Sequence, residues 1–228
     1  MLYLLTLFGL LLGGCTFTGN NAQPFAEAPT ANVVCPPREL PSETVIHLDL
    51  IAEMQQQGLY HAALAHLDAL EADLGEPPPR ALYLRAEALR HSGQPEAAEV
   101  LYLDLTTSCL AARGYRGLGR LAMAAGRQEE GVSHLRRAVA LQPTDARFRN
   151  DLGYALLLAG QPAEALPQLR TAVELGGGER ALVNQLLALL VLGRFGEAEM
   201  VADNAGLPRP ALEQLRAAAA KLEAHDDR

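Results

Sequence analysis

The chain has 228 residues, with 19 Lys and Arg against 27 Asp and Glu, no Trp and only 5% aromatic residues. A formal charge of −8 offers no basic field for a nucleic-acid backbone. The prevalence of Ala, Leu and Gly favours closely packed helices over sheets, in a length that allows one or two ordinary domains.

The first predicted element is apolar and short. Met1 to Gly14 carries no charged side chain, and the run Leu2–Leu12 falls well below the ~20 residues a helix needs to cross a bilayer. It has the length of a signal-peptide core, although no Lys or Arg precedes it. It ends in Leu12-Gly13-Gly14-Cys15, a branched apolar residue, two small residues and a cysteine, which resembles the lipobox of bacterial lipoproteins. That resemblance implies a signal peptide over 1–14, cleavage before Cys15 and a diacylglycerol on its thiol. Thr16 stands where an Asp would signal retention in the inner membrane, which implies a chain anchored in the outer membrane and facing the periplasm. Each acyl methylene buried in lipid adds about 0.8 kcal/mol to such an anchor.

Residues 15–43 are rich in Pro, Asn, Thr and Ala and keep neither a helical nor an alternating period, so they read as a flexible tether. Cys35 lies in it, just before Pro36-Pro37. In an oxidising periplasm with Cys15 acylated, Cys35 and Cys109 are a natural disulfide pair; two unpaired thiols are the alternative.

From residue 44 onward the sequence repeats. Gly58, Gly93, Gly126, Gly160 and Gly193 are spaced by 35, 33, 34 and 33 residues, and five residues after each stands a tiny one: Ala63, Ala98, Gly131, Ala165 and Ala198. Leu118-Gly119, Gly126, Leu135, Ala138 and Leu141 recur 34 residues later as Leu152-Gly153, Gly160, Leu169, Ala172 and Leu175. Each unit carries two apolar stripes at helical spacing, such as Leu118, Leu121 and Ala122, then Val132, Leu135 and Val139. The glycine between them suits the left-handed residue that ends a helix, and Pro95 and Pro162 suit the first turn of the next. Ala86, Gly119 and Gly153 on the first helix can face the tiny residue of the second, which lets two helices pack closely.

This pattern resembles the tetratricopeptide repeat over about 44–212. It implies an all-α solenoid of about five helix-turn-helix units, near 44–78, 79–111, 112–145, 146–178 and 179–209, followed by a capping helix and tail over 210–228. Stacking is what such units need, since one pair alone cannot bury its apolar face. The family's early aromatic survives as Tyr115 and its late proline as Pro143. Pro167 is expected to bend a second helix or to sit in its first turns.

The same resemblance implies that the first helices line a concave groove, with the second residue of each unit along it. Those residues are Val45, Arg80, Arg113, Arg147 and Arg180. Arg116 and Arg120 extend the row, and Tyr154, Leu157 and Leu187 lie on or near the same face. Either the arginines form a basic stripe for the carboxylates or carbonyls of a peptide, or they pair with neighbouring acids such as Glu87. The stretch 182–193 is apolar nearly all round, which predicts burial on both sides, by the cap helix or by a partner helix.

Catalytic patterns do not emerge. His61 and His66 are five apart and do not share a helix face, no Cys-His group has zinc spacing, and Gly176-Gly177-Gly178 has no following Lys-Ser/Thr. The expectation is a non-enzymatic binding protein without cofactor, metal or small-molecule substrate. The whole plan, including the cysteine in the tether and the run NDLGYALLLAGQPAEAL at 150–166, resembles the TadD-like lipoproteins of tight-adherence (Flp) pilus systems. That resemblance implies a pilotin role: binding an outer-membrane secretin, or another pilus-assembly component, and aiding its localisation and assembly. A lipoprotein scaffold for peptidoglycan enzymes and a cytosolic co-chaperone are the alternatives.

Overall fold

A computed structural model describes residues 40–226. The signal-peptide stretch, Cys15, the tether to residue 39 and Cys35 lie outside the described residues. Eleven helices and no strand occur among those described: α1 (Ser42–Gln56), α2 (Tyr60–Leu74), α3 (Pro79–His91), α4 (Pro95–Leu105), α5 (Ala111–Ala124), α6 (Gln128–Leu141), α7 (Ala146–Leu158), α8 (Pro162–Glu174), α9 (Gly178–Val191), α10 (Phe195–Asn204) and α11 (Arg209–Asp226). They form five consecutive pairs and a terminal helix.

Each pair turns in the same way. Gly58, Gly93, Gly126, Gly160 and Gly193 all have φ between 67° and 77°. The amide following each reaches back five residues, as when Gln94 donates to the Leu89 carbonyl at 2.9 Å and Gln161 to the Leu156 carbonyl at 2.8 Å. A carbonyl at the helix end is thereby satisfied, and a side chain at the glycine would be strained.

Within a pair, missing side chains set the approach. A Cβ on Gly119 would lie 2.6 Å from Leu135 Cγ, and one on Gly153 would lie 2.4 Å from Leu169 Cγ. Between pairs, Gly117 of α5 makes room for the buried ring of Tyr102 on α4, which a Cβ there would meet at 2.3 Å. Pro167 lies in the middle of α8, which runs on to Glu174; only the Ala163 carbonyl loses its helical donor there.

The first helix of each later pair also packs on the pair before it. Ala81 and Leu84 of α3 join a core with Leu48, Ile51, Ala63 and Leu67, and Leu118 and Leu121 of α5 join Ala98, Tyr102 and Leu105. Phe148 of α7 joins Ala112 and Ala138. At the C-terminal end α11 packs on α9, burying Leu212 and Ala219 in one core with Leu186 to Leu190. The apolar stretch at 182–193 is thus covered by the cap helix.

Charge is distributed unevenly along this array. Residues 40–79 hold seven acids (Glu43, Asp49, Glu53, Asp68, Glu71, Asp73 and Glu76) and no Lys or Arg, whereas residues 80–228 hold 18 acids and 18 bases. Nearly all the net charge resides in the first pair.

Candidate functional site: the face of the first helices

Helices α1, α3, α5, α7 and α9 contact one another in a row, which makes their shared face a continuous surface. A cleft of about 490 Å³ opens on it. Its floor is apolar, with Met123, Ala155 and Leu158, and its walls are polar, with Arg90, Arg120, Asn150, Asp151, Tyr154, Arg180 and Asn184. The polar residues come from one side of α3, α5, α7 and α9, brought into register by the repeat.

The arginines divide into three groups. Some are matched by carboxylates. Arg80 pairs with Asp49, and Arg147 pairs at 2.7 Å with Asp145, whose side chain also accepts from the Arg147 amide and so caps α7. Arg116 pairs with Asp151 at 2.6 Å, with both side chains 13% exposed, and lies over the Phe148 ring. Burial would lower the Arg116 pKa, but Asp151 outweighs it and raises it.

Others share one acid. Glu87 receives Arg90 at 3.0 Å, Arg120 at 3.5 Å and the hydroxyl of Tyr102. Burial would raise the Glu87 carboxyl, yet Arg90, the Tyr102 hydroxyl and Arg120 together hold it below the ordinary carboxylate range. Arg120 is the under-compensated member: burial and then the neighbouring Arg90 charge lower its pKa. The Arg90 Nε is buried without a hydrogen-bond partner.

The third group has no carboxylate among the described residues. Arg113 lies over the Tyr83 ring at 5.0 Å, and Arg180 stands exposed at the cleft wall. Arg90, Arg116, Arg120 and Arg180 thus face Glu87 and Asp151, so the cleft carries an excess of positive charge in an acidic protein.

Tyr154 is 43% exposed and lines the cleft. Leu157 and Leu187, expected on the groove, are instead 4% and 7% exposed in the core, because their side of α7 and α9 turns toward neighbouring helices. The repeat pattern does not single out Arg90, Asn150, Asp151 and Asn184, which the fold brings into the cleft. Asn184 donates to Asn150 Oδ1 at 2.8 Å across α9 and α7, 34 residues apart. Their signal was positional: Asn150 and Asn184 sit one repeat apart, like the arginines.

Cys109, in the turn after α4, is disulfide-bonded, and its partner lies outside the described residues. Among the described residues no three His, Cys, Asp or Glu side chains gather as a metal site, and no helix is long and apolar enough to cross a membrane. The chemistry the cleft offers is recognition: guanidinium donors, an amide pair and an exposed phenol around an apolar floor.

The family profile for the tetratricopeptide repeat matches residues 53–108, 116–180 and 150–209. The TPR repeat-containing protein PA4299 of Pseudomonas aeruginosa is 35% identical over 185 residues, 80% of this chain and 69% of that one. Among solved structures, Pseudomonas aeruginosa PilF superposes with a TM-score of 0.65 at 19% identity, over 82% of this chain and 86% of its own. The thermophilic TPR protein TTC0263 of Thermus thermophilus superposes with a TM-score of 0.58 at 23% identity, over 79% and 99%.

Proposed function

The chain belongs to the tetratricopeptide repeat family, a fold of protein-interaction scaffolds, and from that premise we propose that it is a lipid-anchored adaptor that holds a segment of an outer-membrane secretin, or of another pilus-assembly component, in the cleft between α5, α7 and α9. The observation that carries the reading is the excess of arginine over acid around an apolar floor. A client segment with an acidic residue beside an apolar one answers both features: the carboxylate meets Arg120 and Arg180, and the apolar side chain settles near Met123 and Leu158.

The anchor rests on Leu12-Gly13-Gly14-Cys15. Acylation of Cys15 keeps the captured client at the bilayer into which it must assemble, which a freely diffusing adaptor would not do. With Cys15 acylated in this reading, Cys35 is left as the partner for the disulfide of Cys109. No step here is catalytic.

The test is recovery of clients with the lipidated protein from outer membranes. A secretin retained by the native chain and lost from a variant carrying Arg120→Glu and Arg180→Glu, with helicity unchanged, is the expected result. Recovery of peptidoglycan hydrolases without a secretin would replace the pilus reading with a cell-wall scaffold. Mass spectrometry of the mature chain should find an acylated Cys15 as its first residue; an unmodified Met1 in place would remove the anchor.

A further inference from the structure

The open flank of α1 has a counterpart in every later pair. Ile46 is followed, at the same 35-, 33-, 34- and 33-residue steps as the turn glycines, by Ala81, Gly114, Phe148 and Ala181. All four are buried against the preceding pair. Leu50 is followed by Arg85, Leu118, Leu152 and Gln185; the two leucines and Gln185 are buried, and Arg85 reaches back to pair with Asp68 and Glu71 of α2. These are the positions by which one pair stacks on the one before. On α1 they face solvent, with Ile46 68% and Leu50 45% exposed. Solenoids ordinarily finish such an end with polar residues.

The surroundings specify what fits there. Glu43, Ile46, Leu50 and Glu53 follow at three- and four-residue steps and form one stripe, apolar in the middle and acidic at both ends. Glu53 accepts a hydrogen bond from Gln57 at 3.5 Å, and neither glutamate has an ion-pair partner among the described residues. Of the other acids in the first pair, Asp49, Asp68 and Glu71 are paired with Arg80 and Arg85 of α3, while Asp73, without an ion-pair partner among the described residues, adds to that field. A second copy would bring the same unbalanced acids to the contact. The upstream stretch 1–39 brings only Arg38 against Glu27 and Glu39.

We propose that this flank of α1 is a second docking surface, separate from the cleft, for an amphipathic helix of a partner protein whose apolar stripe is bordered by Lys or Arg. The partner's apolar residues extend the stack over Ile46 and Leu50, and its basic residues meet Glu43 and Glu53.

A fluorescent synthetic helix of Leu and Lys with one apolar stripe is the probe, titrated with the full chain and read by anisotropy. It should bind, more weakly as salt rises, while its Leu and Glu counterpart does not. Ile46→Glu with Leu50→Glu should weaken it about tenfold or more. Both sites are exposed, so circular dichroism should be unchanged. Glu43→Lys with Glu53→Lys, which leaves the apolar pair intact, should lose the Lys helix and admit the Glu helix. Val100→Glu with Leu103→Glu, on an exposed apolar pair of α4, should change nothing. Affinity untouched by the Ile46 and Leu50 changes would overturn the proposal. So would self-association abolished by those changes, which assigns the flank to a second copy. A rise in affinity on deleting residues 16–39 would assign it to the chain's own upstream stretch.

Discussion

At its C-terminal end the array lays α11 along α9, so that Leu186, Leu189 and Leu190 are almost wholly buried. At its N-terminal end α1 turns Ile46 and Leu50 outward, although Ala181 and Gln185 at the corresponding positions of α9 are buried. The repeat supplies apolar stacking residues to every first helix, because each unit is built to have a neighbour. What differs is whether a neighbour is provided. The cap lets α9 be apolar nearly all round. The first pair instead combines its uncovered stripe with an excess of acids that the later pairs, balanced only in sum, do not share.

The contrast can be tested most strongly by removing the cap. Deleting residues 209–228 should cost on the order of 5 kcal/mol, from the buried leucine and alanine surface of α11 and the face of α9 it leaves bare. Urea unfolding and the onset of aggregation would report it. A loss below about 1 kcal/mol would mean that α9 needs no cover.

A finer comparison uses one register position twice. Leu152→Ala should destabilise the fold by about 3 kcal/mol, whereas Leu50→Ala should cost less than about 1 kcal/mol, since about half of its side chain is already in water. Equal losses would show that Leu50 is covered in the native chain as Leu152 is.

The smallest effect concerns the carboxylate at the centre of the second and third pairs. Folding lowers the Glu87 pKa from its ordinary 4.5, so its ion pairs contribute stability that is fully present above that pH and fades as pH falls through the lowered folded value. Glu87→Gln should therefore cost about 2 kcal/mol at neutral pH, and the difference from the native chain should shrink in acid below pH 4.5. Stability curves against pH for both proteins check the sign.

The sequence made the helices, turns and stacking legible because these depend on residues close together in the chain. The five glycines and the small residues five positions on determine where each pair turns and how closely it packs. The electrostatics of the cleft were only half legible. Arg116 and Asp151 are 35 residues apart, and Arg120 and Glu87 are 33 apart. Such pairs form or fail according to the offset between successive units, which the local pattern leaves open. Leu157 and Leu187 were misplaced for a related reason. A rotation of part of one helical turn separates the groove from the core, and in an apolar stretch no polar boundary marks it. Nothing in the sequence sets Ile46 and Leu50 apart from the apolar residues around them; only the folded array shows them uncovered.

The disulfide at Cys109 has a topological consequence. The other two cysteines, Cys15 and Cys35, both precede Leu40, so the bond closes a covalent ring that contains α1 to α4 whichever of them it uses. A protease cut inside those four helices opens the ring without releasing a fragment, and the pieces separate only when a reductant is added. A pull on the N-terminus is delivered at the Cys109 turn, partway along the array, and the first two pairs are spared the load.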